Sequence, residues 1–218
     1  PFITLMAGVF EGVDRLGLSY EALSKGRPDI VHCLISGFGQ QGPLAQRPAV
    51  DGVLQAFTGW TSINQDAGGG PRTFPFYAVD MLAGMYAFQA VQSALIKRFR
   101  FGGGAQLEVS LMEAAAAFLG PRLLEQALAG GAPAPLFSSP NGPFRTSDGW
   151  FMVAVTTQAQ FVLVCDALER PDLAQDARFA SRPLRITNAQ TLDALLSEEF
   201  AKRDCASCDA AFERTGAM

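Results

Sequence analysis

The sequence predicts an α/β protein in which a larger domain built on a parallel sheet precedes a smaller α+β domain. The first observation is a continuous apolar run at residues 29–36 that ends in the glycine-rich segment 37–39. Such runs form strands buried on both faces, as in parallel sheets, and open α/β sheets bind ligands at the carboxyl ends of these strands. The second observation is a segment of linker composition, residues 130–135, after which the pattern changes to a hairpin and helices.

The elements of the first domain follow from local patterns. Ser19 precedes helix formers that stop at Gly26, which predicts a short helix before the buried strand. His32 lies within that strand, where we expect an interior residue rather than a catalyst. The other predicted elements are a helix at residues 49–59, an extended piece at 74–79, a long helix from 81 to about 99, a strand at 106–111 and a helix from 112 to about 128.

The second domain is predicted to begin after the linker. We expect the first domain at residues 1–129, the linker at 130–140 and a small α+β domain at 141–218. Asp148 and Gly149 form the predicted turn of a β-hairpin. The predicted strands lie at 144–146 and 150–155, and predicted helices follow at 159–168, 171–179 and 188–202.

Composition excludes several classes of protein. Hydrophobic residues make up 49% of the 218 residues and charged residues 17%, so the bulk of the chain is not disordered. The net charge of −4 does not indicate a nucleic-acid partner. The longest weakly polar stretch, residues 81–96, contains two glutamines and is too short to span a membrane. So little charge in so apolar a chain predicts instead a large interface with a protein partner.

The four cysteines, Cys33, Cys165, Cys205 and Cys208, do not form the disulfide framework of a small secreted protein. They fit a reducing cytosol, so we expect a cytoplasmic protein. Cys205 and Cys208 make one CxxC motif with no second pair, and the chain has a single histidine. We therefore expect no metal site and interpret the motif as two thiols on a helix.

Asp80 is the candidate catalytic residue. It lies between the extended piece and the first turn of the long helix, where an N-cap or N1 residue would lie. Capping alone would explain an aspartate at this point. A carboxylate at a helix N-terminus in an apolar setting is also held ionised by the helix dipole and can attack an acyl carbon. The residues alone leave both interpretations open.

Six separated blocks carry a more specific signal. They are residues 15–23 (RLGLSYEAL), 35–43 (ISGFGQQGP), 47–51 (RPAVD), 80–87 (DMLAGMYA), 104–111 (GAQLEVSL) and 143–150 (PFRTSDGW). In this order they resemble the class III CoA-transferase family, which includes formyl-CoA and carnitine-CoA transferases and α-methylacyl-CoA racemases. The resemblance covers most of the chain and favours the catalytic interpretation of Asp80.

The resemblance implies a partial Rossmann-like CoA-binding domain, a smaller α+β domain and an interlocked homodimer. It implies that Asp80 attacks an acyl-CoA thioester and moves CoA to a carboxylic acid through a mixed anhydride and an aspartyl-CoA thioester. Arg15 matches a contact to the CoA phosphates, and Val50 and Asp51 match positions that face CoA and the reacting acyl group. Asn141 falls where some members carry a mobile glycine-rich lid, and we expect it to contact CoA. The resemblance implies acyl-CoA as a substrate and no tightly bound cofactor.

Two departures from the family pattern bear on function. Val50 stands where racemase relatives carry a histidine, and an alkyl group cannot accept a proton, so transfer is favoured over racemisation. Family members are also longer, and we expect their N-terminal βαβ unit and C-terminal return segment to be absent from this chain. The alternatives to a transferase are an acyl-CoA racemase or isomerase that uses another base, and a truncated non-catalytic homologue.

Overall fold

Two structural units make up the chain, Pro1–Ala132 and Pro133–Met218. The computed structural model describes residues 3–7, 10–64, 69–130 and 136–218. The boundary between the units falls within the segment expected as a linker, of which residues 131–135 lie outside the described ranges. Each unit combines helices with strands and has its own hydrophobic core.

The first unit is built on a three-stranded parallel sheet. Its strands β1 (Ile3–Ala7), β2 (Val31–Ser36) and β3 (Ala105–Ser110) lie in the order β1-β2-β3. β2 pairs in parallel with both neighbours, which confirms the parallel sheet expected from its apolar sequence. β1 is not predicted from the sequence, because a five-residue apolar run has no clear period of its own.

The helices of the first unit differ from the predicted ones in number and in bounds, and those at Phe10–Arg15 and Trp60–Ile63 are not predicted from the sequence. The long helix begins at Ala78, three residues earlier than expected. The helix expected at residues 112–128 is two helices, because Pro121 has no N–H to donate and is tolerated only in a first turn. The helices are α1 (Phe10–Arg15), α2 (Tyr20–Ser24), α3 (Asp51–Phe57), α4 (Trp60–Ile63), α5 (Ala78–Phe101), α6 (Leu111–Phe118) and α7 (Gly120–Leu128).

Helix α5 packs against the sheet through small side chains. Ala83 and Ala87 lie one turn apart on the helix and pack in one buried cluster with Cys33 of β2 and Val109 of β3. Small side chains on this face allow the helix to approach the sheet closely. The other side of α5 exposes large apolar side chains, among them Met81, Met85 and Phe88.

The second unit joins an antiparallel hairpin to a group of helices. The hairpin is formed by β4 (Asn141–Arg145) and β5 (Trp150–Ala154), which confirms the predicted turn between them. The helix expected at residues 171–179 ends at Gln175 and is followed by a 3₁₀ turn, and two helices, α10 and α12, are present that were not predicted from the sequence. The helices are α8 (Gln158–Ala167), α9 (Pro171–Gln175), the 3₁₀ turn Ala177–Phe179, α10 (Arg182–Thr187), α11 (Ala189–Phe200) and α12 (Cys205–Thr215).

Aromatic rings form much of the core of the second unit. Phe200, at the end of α11, is fully buried and stacks on Phe144 of β4 with ring centroids 4.9 Å apart. The CxxC motif lies in the first turns of α12, which confirms the interpretation of two thiols on a helix. There the backbone N–H of Cys205 donates to Oδ1 of Asp148 at 2.8 Å, so α12 is held to the hairpin turn.

Candidate active site

A cavity of about 490 Å³ opens at the carboxyl end of β2. Its walls come from the last residues of β2 and the glycine after them, from residues 47–49, from the first turns of α5 and from the start of α6. Open α/β sheets bind their ligands at this edge, and the sequence predicts a site at the same place. Asp80 lines the cavity.

The wall formed by β2 and residues 47–49 depends on a close approach between two backbone segments. A Cβ added at Gly37 would lie 2.6 Å from Cβ of Ala49, which is closer than two such atoms can come. Gly37 therefore has to lack a side chain for the segment after β2 to pass residues 47–49 at this distance. The close packing of the cavity wall therefore explains why a glycine occurs at position 37 of the predicted ligand-binding loop.

Asp80 is the third residue of α5, which corrects the expectation that it is the N-cap or N1 residue. Tyr77 is the N-cap residue, and its side chain makes no capping hydrogen bond. Within the part of the chain that the structure describes, no donor is bonded to the Asp80 carboxylate, and its side chain is exposed. The carboxylate is therefore free to meet a ligand in the cavity.

The electrostatic setting of Asp80 favours its protonated form relative to an ordinary aspartate, which is opposite to the expectation that the helix dipole holds it ionised. Desolvation by the surrounding protein, and then the negative charge of Asp51, raise the pKa of Asp80 above its usual value. A carboxylate of higher pKa is more basic and is a better nucleophile once it is ionised. Perturbed carboxyl groups in cavities are frequent at catalytic sites.

The cap that α5 lacks locally is supplied by Asp51, the first residue of α3. This side chain is 5% exposed, and its Oδ2 accepts from the backbone N–H of Val79 at 2.7 Å and from that of Asp80 at 3.1 Å. Free N–H groups at a helix N-terminus are satisfied by carboxylates in this way. Asp51 thus fixes the backbone that carries the candidate nucleophile.

Gln55 completes the network one turn along α3. Its side chain is 1% exposed, and its Nε2 donates to Oδ1 of Asp51 at 2.5 Å and to the carbonyl oxygen of Phe76 at 3.3 Å. Its Oε1 accepts from the backbone N–H of Phe74 at 2.7 Å. One buried amide therefore links the Asp51 carboxylate to the extended piece that leads into α5.

The structure brings two of the predicted site residues together, Asp80 and Asp51. Arg15 is exposed at the end of α1, and Val50, the N-cap residue of α3, is 66% exposed; neither lines the cavity. Asn141 is an exposed residue at the start of β4 in the second unit. The structure surrounds the Asp51 carboxylate with protein donors, whereas the resemblance implies that it faces CoA. Contacts of these residues with CoA stay predictions.

Arg47 and Gln55 are site residues that were not predicted from the sequence. Arg47 lines the cavity, its guanidinium lies 6.0 Å from the centre of the Phe38 ring, and no described carboxylate forms an ion pair with it. A guanidinium in this position suits a phosphate or carboxylate ligand. The sequence contains a signal for Arg47, because this residue is the first of one of the six blocks that resemble the family. For Gln55 the available signal was its spacing of four residues from Asp51, which places both on one face of a helix.

Other candidate groups take no part in the cavity. His32 is 2% exposed, and its Nε2 lies 3.0 Å from the carbonyl oxygen of Leu18, so it is the interior residue expected. Among the residues in the described ranges, no three His, Cys, Asp or Glu side chains are grouped as a metal ion would need. None of the helices in those ranges combines the length and the apolar character needed to cross a bilayer.

Comparison with known proteins decides the family. The model of CoA-transferase family III matches residues 5–218. The chain belongs to this family. It is 34% identical over 200 residues to an acetyl-CoA:oxalate CoA-transferase of Acetobacter aceti, a match that covers 89% of this chain and 51% of the relative. It is 29% identical over 210 residues to a succinyl-CoA:glutarate CoA-transferase of Mus musculus, a match that covers 94% of this chain and 48% of the relative.

Solved structures of similar proteins agree with the fold of this family III chain. A CAIB/BAIF family protein from Brucella suis matches 100% of this chain and 59% of its own, at 28% identity and a TM-score of 0.86. The protein Rv3272 from Mycobacterium tuberculosis matches 100% of this chain and 59% of its own, at 27% identity and a TM-score of 0.90. The chain spans about half the length of the Acetobacter aceti and Mus musculus relatives.

Proposed function

We propose that the protein transfers CoA from an acyl-CoA thioester to a carboxylic acid, with Asp80 as the nucleophile. The observation that carries the proposal is the exposed Asp80 carboxylate in a cavity at the carboxyl end of β2, in a chain of CoA-transferase family III. The backbone beneath Asp80 is fixed by Asp51, while the carboxylate itself has no protein donor within the described ranges. A fixed backbone and a free carboxylate are what an attacking group needs.

The reaction has four acyl-transfer steps. The Asp80 carboxylate attacks the thioester carbonyl, the C–S bond breaks, and a mixed anhydride and CoA thiolate form. The thiolate attacks the Asp80 carbonyl, which releases the first carboxylate and leaves an aspartyl-CoA thioester. The acceptor carboxylate attacks this thioester and forms a second anhydride, whose acceptor carbonyl the thiolate then attacks. Acyl-CoA of the acceptor leaves and the Asp80 carboxylate is regenerated, so covalent capture divides the exchange into easier steps.

Cationic and polar groups are proposed to hold CoA and the acids. Arg47 is the guanidinium in the cavity wall and is suited to a phosphate or carboxylate group. Arg15, Val50 and Asn141 are proposed as further CoA contacts because their positions match the family's blocks or lie beside them. The named relatives act on oxalate and glutarate, which are both dicarboxylic acids, so this class is the first to test as acceptor.

We also propose an interlocked homodimer in the cytoplasm. The exposed apolar side chains on one side of α5, such as Met85 and Phe88, support a protein interface there, since soluble proteins rarely leave such a stripe uncovered. The four cysteines are free thiols, which fits a reducing compartment.

Isotope exchange tests the proposed function. The protein is incubated with succinyl-CoA and ¹⁴C-glutarate, or acetyl-CoA and ¹⁴C-oxalate, and label is followed into the CoA ester. Transfer of label in the wild type, and its loss in Asp80→Asn, is the expected result. Exchange of the α-hydrogen of a 2-methylacyl-CoA in heavy water without transfer of label would contradict it and support a racemase instead.

A further inference from the structure

The N-terminus of α5 is organised by a side-chain pair on a different helix. Asp51 and Gln55 lie four residues apart on α3, and both side chains are buried. Together they bond to the backbone of Phe74, Phe76 and the first residues of α5. Neither side chain lines the cavity that contains Asp80. Their hydrogen bonds are with the backbone that carries the nucleophile, and both residues line a separate cavity of about 270 Å³ together with residues 73–77.

The hydrogen bonds fix the orientation of the Gln55 amide. Its oxygen has to face the N–H of Phe74, and its NH₂ group has to face the carboxylate of Asp51 and the carbonyl of Phe76. With the amide reversed, its NH₂ group would face the N–H of Phe74, and its oxygen would face the carboxylate of Asp51. The network thus has one arrangement in which every polar atom is satisfied.

We propose that Asp51 and Gln55 are a positioning pair that holds the Asp80 carboxylate in place for attack. Asp51 fixes the backbone N–H of Asp80 itself, and Gln55 fixes both the Asp51 carboxylate and the extended piece before α5. A misplacement of about 1 Å at a reacting group can cost about 100-fold in rate. The proposal rests on the proposed function of Asp80 and adds two residues that act through it.

A pair of complementary substitutions tests the hydrogen-bond pattern. Asp51→Asn places an NH₂ group against either the helix N–H groups or the NH₂ group of Gln55. Gln55→Glu places a second carboxylate against Asp51. In the double variant the new amide at position 51 donates to the new carboxylate at position 55, which still accepts from Phe74. In that variant the helix N–H groups bond to a neutral amide oxygen, and the carbonyl of Phe76, which accepts the longest bond in the set at 3.3 Å, faces a carboxylate oxygen instead of a donor.

The variants are made in the protein expressed from its complete gene, and kcat, KM for acyl-CoA and the thermal midpoint are measured for each. We expect each single variant to lower kcat by about 10- to 100-fold and to change KM by less than about threefold, because the pair does not line the cavity. The double variant is expected to have a higher kcat than either single variant. Gln190→Glu, the same change at an exposed residue of α11, is the matched control and is expected to leave all three unchanged.

Recovery of kcat in the double variant separates a positioning role from a purely structural one. Single variants that keep wild-type kcat would overturn the proposal, as would a folded double variant that is no faster than the faster single one. If a single variant fails to fold, the double variant decides by the same criterion. A wild-type protein that transfers no label would refute the proposed function, and the positioning role would fall with it. Label transfer that the substitutions do not change would refute the positioning role alone.

Discussion

Replacing Asp51 with alanine is expected to destabilise the first unit by about 2–4 kcal/mol. The substitution removes the acceptor of the Val79 N–H and of the Asp80 N–H, at 2.7 and 3.1 Å. Val79 is fully buried, and a buried N–H without a partner costs about 1–3 kcal/mol. The buried Gln55 amide loses its charged acceptor, which adds about 1 kcal/mol to the loss of stability. The N–H of Asp80 adds little, because Asp80 is exposed and water can replace the lost acceptor.

Urea denaturation measures this loss in the unit concerned. Trp60 is buried in the first unit, so its fluorescence in a Trp150→Phe background reports unfolding there, at one fixed protein concentration. Asp80→Asn is the control, because it leaves the backbone bonds to Asp51 in place and is expected to change stability by about 0.5 kcal/mol or less. A loss in Asp51→Ala no larger than in the control would show that the carboxylate does not hold α5.

Three further predictions concern the core, the thiols and the pH dependence. Phe200→Ala is expected to destabilise the second unit by about 3–5 kcal/mol, because it removes a fully buried ring that stacks on Phe144. A denaturation midpoint equal to that of the wild type would contradict this packing. Burial raises the pKa of Cys165 to about 12, so at pH 8 an aromatic disulfide reagent should label this thiol only after unfolding, and rapid labelling of the native protein would refute its burial. Asp80 must be ionised to attack, so turnover should rise with pH through its pKa. Removing the Asp51 charge in Asp51→Asn should move this acid limb to lower pH, but only part of the way, since desolvation remains; an unmoved limb in the pH–rate profile would show that the two carboxylates do not interact.

The sheet and the hairpin could be predicted because their signals are local. A continuous apolar run identified β2, and an Asp-Gly turn between apolar segments identified the hairpin of the second unit. Signals for other elements were present and were missed. Pro121 marks the break between α6 and α7, and Ser181 and Asp204 cap α10 and α12 through their side chains.

The candidate site could be predicted only in part because its central interactions are distant in sequence. Asp80 was found, but its place in α5 was not, since the helix starts earlier where a carboxylate 29 residues upstream caps it. Asp51 and Val79 are 28 residues apart, so a short stretch of sequence does not contain both partners of this hydrogen bond. Local propensity also favours an extended conformation for the aromatic segment before α5, and the tertiary hydrogen bonds of Gln55 define where that segment ends.

Covalent trapping at Asp80 tests the central claim most directly. Hydroxylamine converts an activated carboxyl group, an anhydride or a thioester, into a hydroxamate, and peptide mass mapping locates the modified residue. Only an acylated or CoA-bound Asp80 is activated, so we predict a hydroxamate at Asp80 when acyl-CoA is present, and none without it or in Asp80→Asn. A protein that transfers CoA at full rate without any adduct at Asp80, or with Asp80→Asn in place, would contradict the assignment of Asp80 as the nucleophile.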